Sequence, residues 1–138
     1  MAQNTSPIFT QTPRIGMGVI DANAFNNTFT MTAGGSASLF TAGPSGSYVN
    51  KIRVKPSGSS AATVLRFFIN NGNDTTNVAN NTLFAELSMP SITTSATLAQ
   101  NDFEVPFNIA IPGNYSIYGV TATTPSTGFS ITTVAGDY

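Results

Sequence analysis

The chain has 138 residues, which is enough for one domain with a single core. Only 8% of the residues are charged, where about 25% is usual for soluble domains, and the formal net charge is −1. Cysteine and histidine are both absent, which excludes disulfides, thiolate metal sites, cysteine nucleophiles and histidine general bases. A low fraction of charged residues and a low net charge favour association, so we expect other subunits to cover much of the surface. The alternative is an extracellular protein with an uncharged polar surface.

The first segment, residues 1–14, reads MAQNTSPIFTQTPR and has no charge before Arg14. Proline forces the preceding residue towards extended backbone, so we predict an extended N-terminal arm whose Ile8 and Phe9 dock on a neighbouring molecule. A frayed terminus is the alternative. The segment lacks the pattern of a secretory signal, and no apolar run approaches the roughly 20 residues that span a bilayer, so we expect no membrane partner.

The remaining residues, 15–138, are predicted to form one β-sandwich domain, because short alternating runs are separated by Gly, Pro and Asn turns. The predicted strands are 15–20, 28–32, 38–41, 48–55, 63–70, 82–87, 103–111, 115–121 and 129–134, with a weaker one at 93–98. This spacing predicts an all-β, two-sheet antiparallel sandwich that is jelly-roll-like. In the first of these strands Gly16 and Gly18 share one face, which predicts a close approach by another backbone.

The strands at 63–70 and 82–87 fit one antiparallel register, since a one-residue slip would set core residues against the outer face. The predicted pairs are Leu65–Leu87, Phe67–Ala85 and Ile69–Leu83 on the core side, and Arg66–Glu86 and Phe68–Phe84 on the outer side. Arg53 and Arg66 would repel each other if directly opposed, so we expect their strands to be offset or to lie in different sheets.

The run 103–111 has the clearest alternation in the chain, with five large apolar side chains on one face. Pro106 lies within this run and has no N–H to give to a ladder. We therefore predict that this strand lies at a sheet edge or carries a bulge.

Lys51, Arg53 and Lys55 form a basic ladder, since residues spaced by two share one face of a strand while Ile52 and Val54 face the other way. We interpret the ladder as a contact surface for a negatively charged protein; an ordinary solvated face is the alternative. A phosphate-binding role fits poorly with a pI of about 4.9, so no nucleic-acid partner is expected.

No catalytic constellation is evident. Asp102 and Glu104, with Glu86 nearby, are the one carboxylate group that resembles a glycosidase pair, and we interpret them as turn and solvent-facing residues. The segment 73–77 resembles a calcium loop but holds a single carboxylate, too little charge for that ion. We expect no enzyme activity, no cofactor and no metal.

Five segments resemble small proteins encoded among the head genes of tailed bacteriophages: 4–9 (NTSPIF), 51–56 (KIRVKP), 64–72 (VLRFFINNG), 81–84 (NTLF) and 136–138 (GDY). The resemblance implies a capsid decoration, or cement, protein: a β-sandwich that binds outside the major capsid protein shell of a virion, commonly as a homotrimer. It also implies assembly in the host cytoplasm and stabilisation of the mature head. The contact residues we predict on the capsid or a neighbouring subunit are Ile8, Phe9, Arg14, Lys51, Arg53 and Lys55.

An adhesin is the alternative from a different functional class: a head-fibre or tail-associated domain that binds host glycans. Its contact would be the polar loop 70–81, since loops of this length in compact β domains are functional or mobile. Tyr115 and Tyr118 are its candidate stacking residues, and the absence of tryptophan counts against it. A subunit of a non-viral shell or filament is a third interpretation.

Overall fold

A computed structural model describes residues 9–31 and 35–138. Within this part the chain is all-β, with two single-turn 3-10 helices at Ala22–Ala24 and Val78–Asn80. The eight strands are β1 Thr12–Ile20, β2 Ala37–Thr41, β3 Ser47–Pro56, β4 Thr63–Asn70, β5 Asn81–Met89, β6 Phe103–Ile111, β7 Ser116–Thr121 and β8 Phe129–Asp137.

The strands form two antiparallel four-stranded sheets, sheet 1 with the order β1-β8-β3-β6 and sheet 2 with the order β2-β7-β4-β5. The pairs β1–β8, β2–β7, β3–β6 and β4–β5 are those of one long hairpin. Pairing of β3 with β8 and of β4 with β7 completes the two sheets. A long hairpin rolled up in this way is a jelly roll, and the predicted fold class is confirmed.

The core lies between the sheets, where alternate residues of each strand point inward. Ile52 and Val54 of β3 are fully buried, as the alternation predicted, and Leu65 and Phe67 of β4 meet them from sheet 2 as part of the same cluster. A smaller cluster on the outer side of sheet 2 is formed by Met31, Phe68 and Val120, with Leu83 and Tyr118 packed against it. Of the described residues, none forms a comparable cluster on the outer side of sheet 1, so sheet 2 alone is partly covered there.

Two predicted strands are wrong. Residues 28–31 are not a strand because the Asn26 side chain binds this segment locally, accepting from Thr28 N at 2.9 Å and donating to Thr30 O at 2.8 Å. Met31 is consequently buried while Phe29 is 63% exposed, whereas a strand would have pointed both side chains to one face. Residues 93–98 are also not a strand, and β8 continues three residues beyond its predicted end, to Asp137.

The predicted arm lies only partly within the described residues. Residues 1–8, and hence the predicted contact at Ile8, lie outside them. Residues 12–14 pair with the end of β8, so the sandwich begins at Thr12, three residues before the predicted domain boundary. The pairing is reinforced by Gln11, whose backbone N–H donates to Asp137 O at 2.8 Å.

The predicted register of β4 and β5 is confirmed for Leu65–Leu87, Arg66–Glu86 and Phe67–Ala85, but it is wrong beyond them. The register shifts there, and the observed pairs are Phe68–Leu83 and Ile69–Thr82. The physical reason is packing, since the Phe84 ring lies 4.7 Å from the Phe107 ring of the opposite sheet. Phe84 is the extra residue of a β-bulge that turns it towards the core, which leaves Leu83 beside Phe68 on the outer side.

Strand β6 confirms the prediction made from Pro106. It is an edge strand of sheet 1, and its register with β3 shifts between Val49 and Lys51. Asn108 lies at this irregularity with a φ of 49°, a left-handed conformation that asparagine tolerates better than most residues. Arg53 and Arg66 lie in different sheets, as their like charge predicted.

Candidate interaction face

The surface of sheet 1 that points away from the core carries a regular array of side chains, and we call this surface the outer face. Three of its cross-strand rows, from β1 through β8 and β3 to β6, are Ile15–Val134–Lys51–Pro106, Met17–Thr132–Arg53–Glu104 and Val19–Ser130–Lys55. The chemistry changes from strand to strand: β1 is apolar, β8 mainly hydroxyl-bearing, and β3 basic. The pairing of strands distant in the sequence creates this gradient.

The basic ladder lies on the outer face, as predicted, and acidic residues from the β6 side of the sheet pair with it. Lys51 Nζ lies 2.9 Å from Glu104 Oε1, and Arg53 Nε lies 3.2 Å from the same oxygen. Lys55 Nζ lies 2.8 Å from Asp102 Oδ1, and Arg53 Nη2 lies 3.2 Å from Asp102 Oδ2. Three cations and two carboxylates therefore form one network with a local charge of +1.

These ion pairs are exposed, with side-chain exposures between 36% for Lys51 and 52% for Asp102. The hydrogen bond from Lys55 lowers the pKa of the Asp102 carboxyl below its usual 3.8, and the charges of Lys55 and Arg53 act in the same direction. Exposed pairs of this kind contribute only about 0–1 kcal/mol each to stability. The network therefore does little for the fold, and its main effect is to hold five charged groups in a fixed pattern.

The sequence places the carboxylates of this network at turn and solvent-facing positions, but it does not predict their pairing with the ladder. The missing information was that β3 and β6 are neighbours, which no local pattern reveals. Glu86 does not join Asp102 and Glu104, because it lies in sheet 2 and accepts Arg66 Nε at 2.8 Å. These carboxylates therefore do not face each other across a cleft as a glycosidase pair does.

An apolar stripe runs along β1 on the same face, formed by Ile15, Met17 and Val19, which are 59%, 82% and 52% exposed. Its outward orientation follows from the glycines between these residues. A Cβ added to Gly16 would lie 2.5 Å from Leu39 O, and one at Gly18 would lie 2.8 Å from the Leu39 side chain. Only glycine permits this approach to β2, as predicted, so the large side chains of β1 face outward.

The described part of the outer face carries shallow depressions. One of about 380 Å³ separates the apolar stripe from β8, and it is lined by Met17, Gly18, Val19, Ser130, Ile131 and Thr132. Another, of about 150 Å³, is lined by Arg53, Lys55, Ser130 and Thr132. Small-molecule sites are usually concave clefts that bury most of the ligand, whereas this broad surface is suited to a protein partner.

Arg14 is engaged within the chain. Its guanidinium donates to the Asp137 carboxylate and lies 5.5 Å from the centroid of the Phe40 ring. Burial of Asp137 raises the pKa of its carboxyl. Hydrogen bonds from Ser47 and Arg14, together with the charge of Arg14, outweigh this effect, so that the pKa lies below its usual 3.8. Arg14 therefore joins the first strand to the last, and 41% of its side chain stays exposed to a partner.

Phe9 is 82% exposed. With Thr10, Tyr48 and Tyr138 it lines a depression of about 210 Å³. Thr10 crosses closely over β8, where a Cβ on Gly136 would lie 2.7 Å from its Oγ1. Because Tyr48 precedes the basic ladder on β3, the depression that it lines lies near one end of the outer face. The structure therefore brings Phe9 and the ladder to neighbouring parts of one surface.

The loop 70–81 is held by its own side-chain amides. Asn70 accepts from Gly72 N at 2.8 Å, Asn80 donates to Asp74 O at 2.9 Å, and Asn81 donates to Thr75 O at 3.0 Å. These groups are engaged within the loop. Of the two tyrosines considered for glycan stacking, Tyr118 packs against the outer cluster of sheet 2 and Tyr115 packs against the main core.

Two kinds of feature are absent from residues 9–31 and 35–138. No group of three or more Asp and Glu residues is placed to hold a metal ion. No helix in this part of the chain is long and apolar enough to cross a membrane.

Comparison with known proteins adds little. No protein-family model matches the chain, and no curated protein matches it. Among solved structures, a chain from the structure of the Gx strain of infectious bursal disease virus matches with 14% sequence identity and a TM-score of 0.32. The match covers 100% of this chain and 37% of the viral chain.

Proposed function

We propose that this chain is a structural virion protein that binds the outside of a major capsid protein shell and stabilises the mature head. The observation that carries the proposal is the outer face of sheet 1, an open β surface that combines a basic ladder with an apolar stripe. The jelly-roll fold supports it, because viral capsid proteins are among the proteins that use this architecture. The sequence resemblance to phage decoration proteins points the same way.

The composition of the outer face fits a reversible protein contact. Non-obligate interfaces are about as apolar as the rest of a protein surface, and their charges give orientation and specificity more than affinity. Here Ile15, Met17 and Val19 provide apolar area, while Lys51, Arg53 and Lys55 carry an excess of positive charge over Asp102 and Glu104. Acidic loops of a shell are the complementary partner.

The dimensions of the face imply that many weak contacts act together. Four strands at about 4.8 Å spacing and three rows about 7 Å apart span an area on the order of a few hundred Å². A stable interface buries about 800 Å² per partner, so one copy is expected to bind weakly through this face alone. Further contacts by Ile8 and Phe9 of the predicted arm, and association between copies, belong to the same proposal and would add multivalency.

Stabilisation then follows from mass action. A protein that binds the assembled shell and not its free subunits stabilises the shell by about 2.7 kcal/mol per site when its concentration is 100 times its Kd. Summed over many sites, even weak binding protects a shell against internal pressure and heat. No chemistry is required of the protein, which agrees with the ion-paired state of Asp102 and Glu104.

Co-sedimentation of the purified protein with expanded capsids of the virus that encodes it tests the proposal. We expect the wild-type protein to co-sediment and the K51Q/R53Q/K55Q variant to lose binding, with wild-type binding weakening as salt rises. The variant V78E/T82E/S88E makes the same change of −3 in charge at exposed positions of the β4–β5 side, and it should bind normally. Absence of wild-type binding would overturn the proposal.

A further inference from the structure

Strand β1 is an edge strand that carries a proline and a charge only near its start, at Pro13 and Arg14, and lacks both from Ile15 onward. It pairs with β8 on one side, and no described strand lies against its other side. Natural edge strands are normally blunted by charged residues, prolines or bulges. Between Ile15 and Val19 there is neither a charge nor a proline, and the pairing with β8 is regular along the whole strand. Within residues 9–31 and 35–138, no strand pairs with the backbone groups on this side, and another strand can use them.

The sequence of this edge is self-complementary. Residues 15–19 read IGMGV, which is nearly the same in both directions about Met17. In an antiparallel alignment centred on that residue, Gly16 lies opposite Gly18 of a second copy and Ile15 lies opposite its Val19. Opposed residues in antiparallel strands point to the same face, so all apolar side chains of both copies fall on the outer face and all glycines on the inner one.

We propose that two copies of this chain pair through β1, antiparallel about a two-fold axis at Met17, and join their first sheets into one eight-stranded sheet. Neighbouring registers fit worse. Moving the axis by one residue towards the N-terminus sets Pro13 opposite Val19, and moving it one residue the other way sets Ile15 opposite Asp21. The register centred on Met17 alone matches apolar residues with apolar residues throughout the stripe.

Electrostatics do not oppose this pairing. In the joined sheet the two basic ladders lie on β3 of each copy, separated by five strand spacings of about 4.8 Å, or about 24 Å. This exceeds the screening length of about 8 Å at physiological salt, so the ladders do not repel each other appreciably. The centre of the joined face is instead a continuous patch of six apolar side chains, flanked on both sides by the hydroxyl groups of β8.

The pairing is separate from shell binding and does not depend on it. A two-fold pair, and not the trimer that the sequence resemblance implies, is the association that the geometry of β1 supports. The contact between two edge strands is small compared with a standard interface, so we expect association that is weak and dependent on concentration.

Cross-linking provides the first test, because the chain has no cysteine of its own. In the M17C variant the two thiols meet at the two-fold axis, where opposed Cβ atoms are about 5 Å apart, close to disulfide distance. We expect mild oxidation to give a covalent dimer of twice the 14.4 kDa chain mass. The control V78C places a thiol at another exposed apolar position, 48% exposed, and should cross-link far more slowly.

Charge complementation provides the second test. Each of M17E and M17K places like charges at the axis and should sediment as a monomer at concentrations where the wild-type protein dimerises. An equimolar mixture should recover dimers, because the glutamate of M17E faces the lysine of M17K. Below the concentration at which the wild-type protein dimerises, both variants should unfold at the wild-type temperature, since Met17 is 82% exposed.

Three results would overturn the pairing. The first is M17C cross-linking no faster than V78C, and the second is a mixture of M17E and M17K that stays monomeric. The third is a wild-type oligomer that M17E leaves intact, which would place the contact elsewhere. The K51Q/R53Q/K55Q variant separates this outcome from failure of the proposed function, because its β1 is unchanged: it should dimerise as the wild-type protein does, whether or not it binds the shell.

Discussion

The Arg14 guanidinium donates to the Asp137 carboxylate and so joins the first strand of the jelly roll to the last. Ser47 Oγ of β3 donates to the same carboxylate, which brings three strands of sheet 1 together at one acidic group. Asp137 is only 17% exposed, and its charge is compensated by these donors. The end of the chain is therefore an integral part of the fold.

The pKa of Asp137 predicts an acid-sensitive fold. Because the folded-state pKa lies below the ordinary 3.8, the carboxylate stabilises the protein fully above that value and progressively less as the pH falls through the folded-state pKa. We expect D137N to lower the free energy of unfolding by about 1.5–3 kcal/mol at pH 7, the usual contribution of charge-assisted hydrogen bonds, and by much less near pH 2.

Urea unfolding at pH 7 and near pH 2 measures this difference. The D102N variant is the matched control, because the pKa of Asp102 is also lowered but this group lies on the exposed outer face. Its effect at pH 7 should be smaller than that of D137N. An equal loss in D137N at both pH values would contradict the assignment.

Gly16 is predicted to tolerate no larger side chain. A Cβ at this position would lie 2.5 Å from Leu39 O, a backbone atom that moves only if β1 and β2 separate. We expect G16A to lower the free energy of unfolding by about 1–3 kcal/mol, the usual cost of overpacking. The M17A variant, at the neighbouring exposed position, should change stability by less than about 0.5 kcal/mol. Thermal denaturation of both variants measures the contrast.

Phe84 is predicted to stabilise the protein although it is 39% exposed. The bulge in β5 brings its ring to 4.7 Å from that of Phe107, across the two sheets. We expect F84A to lose about 1–3 kcal/mol, less than the 3–5 kcal/mol of a fully buried phenylalanine. L98A removes a side chain that is 73% exposed and should be nearly neutral. Equal denaturant midpoints for F84A and L98A would rule out the packing role.

Arg66 and Glu86 are predicted to respond asymmetrically to mutation. The Arg66 side chain is 9% exposed, its guanidinium lies 4.3 Å from the Phe29 ring centroid, and its Nη1 has no hydrogen-bond partner among residues 9–31 and 35–138. Removing the partner in E86A leaves a buried cation without its anion, and we expect a loss of about 1–3 kcal/mol. R66M leaves only Glu86, which is 44% exposed and stays hydrated, so its loss should be under about 1 kcal/mol.

Denaturant unfolding of the two variants measures the order of these effects. A double variant, R66M/E86Q, should resemble R66M, because no buried charge is left behind. Greater destabilisation by R66M than by E86A would show that the arginine contributes mainly through its own packing on Phe29.

The sequence by itself determined the fold class and most strand positions, because these depend on local alternation and on the backbone limits of Pro and Gly. β4 and β6 begin and end where the alternation predicted, and Pro106 correctly placed β6 at an edge. The same local reasoning placed Lys51, Arg53 and Lys55 on one face and Arg66 opposite Glu86.

Only the tertiary structure decided which strands are neighbours, since hydrogen-bonded partners such as β1 and β8 are separated by most of the chain. That pairing set the apolar stripe of β1 and the basic ladder of β3 on one surface, and the pairing of β3 with β6 gave the ladder its carboxylates. Packing across the sandwich also moved Phe84 out of its predicted register, because a contact with Phe107 outweighed regular pairing. Local patterns determine which way a side chain points, and the assembled sheets determine what it meets there.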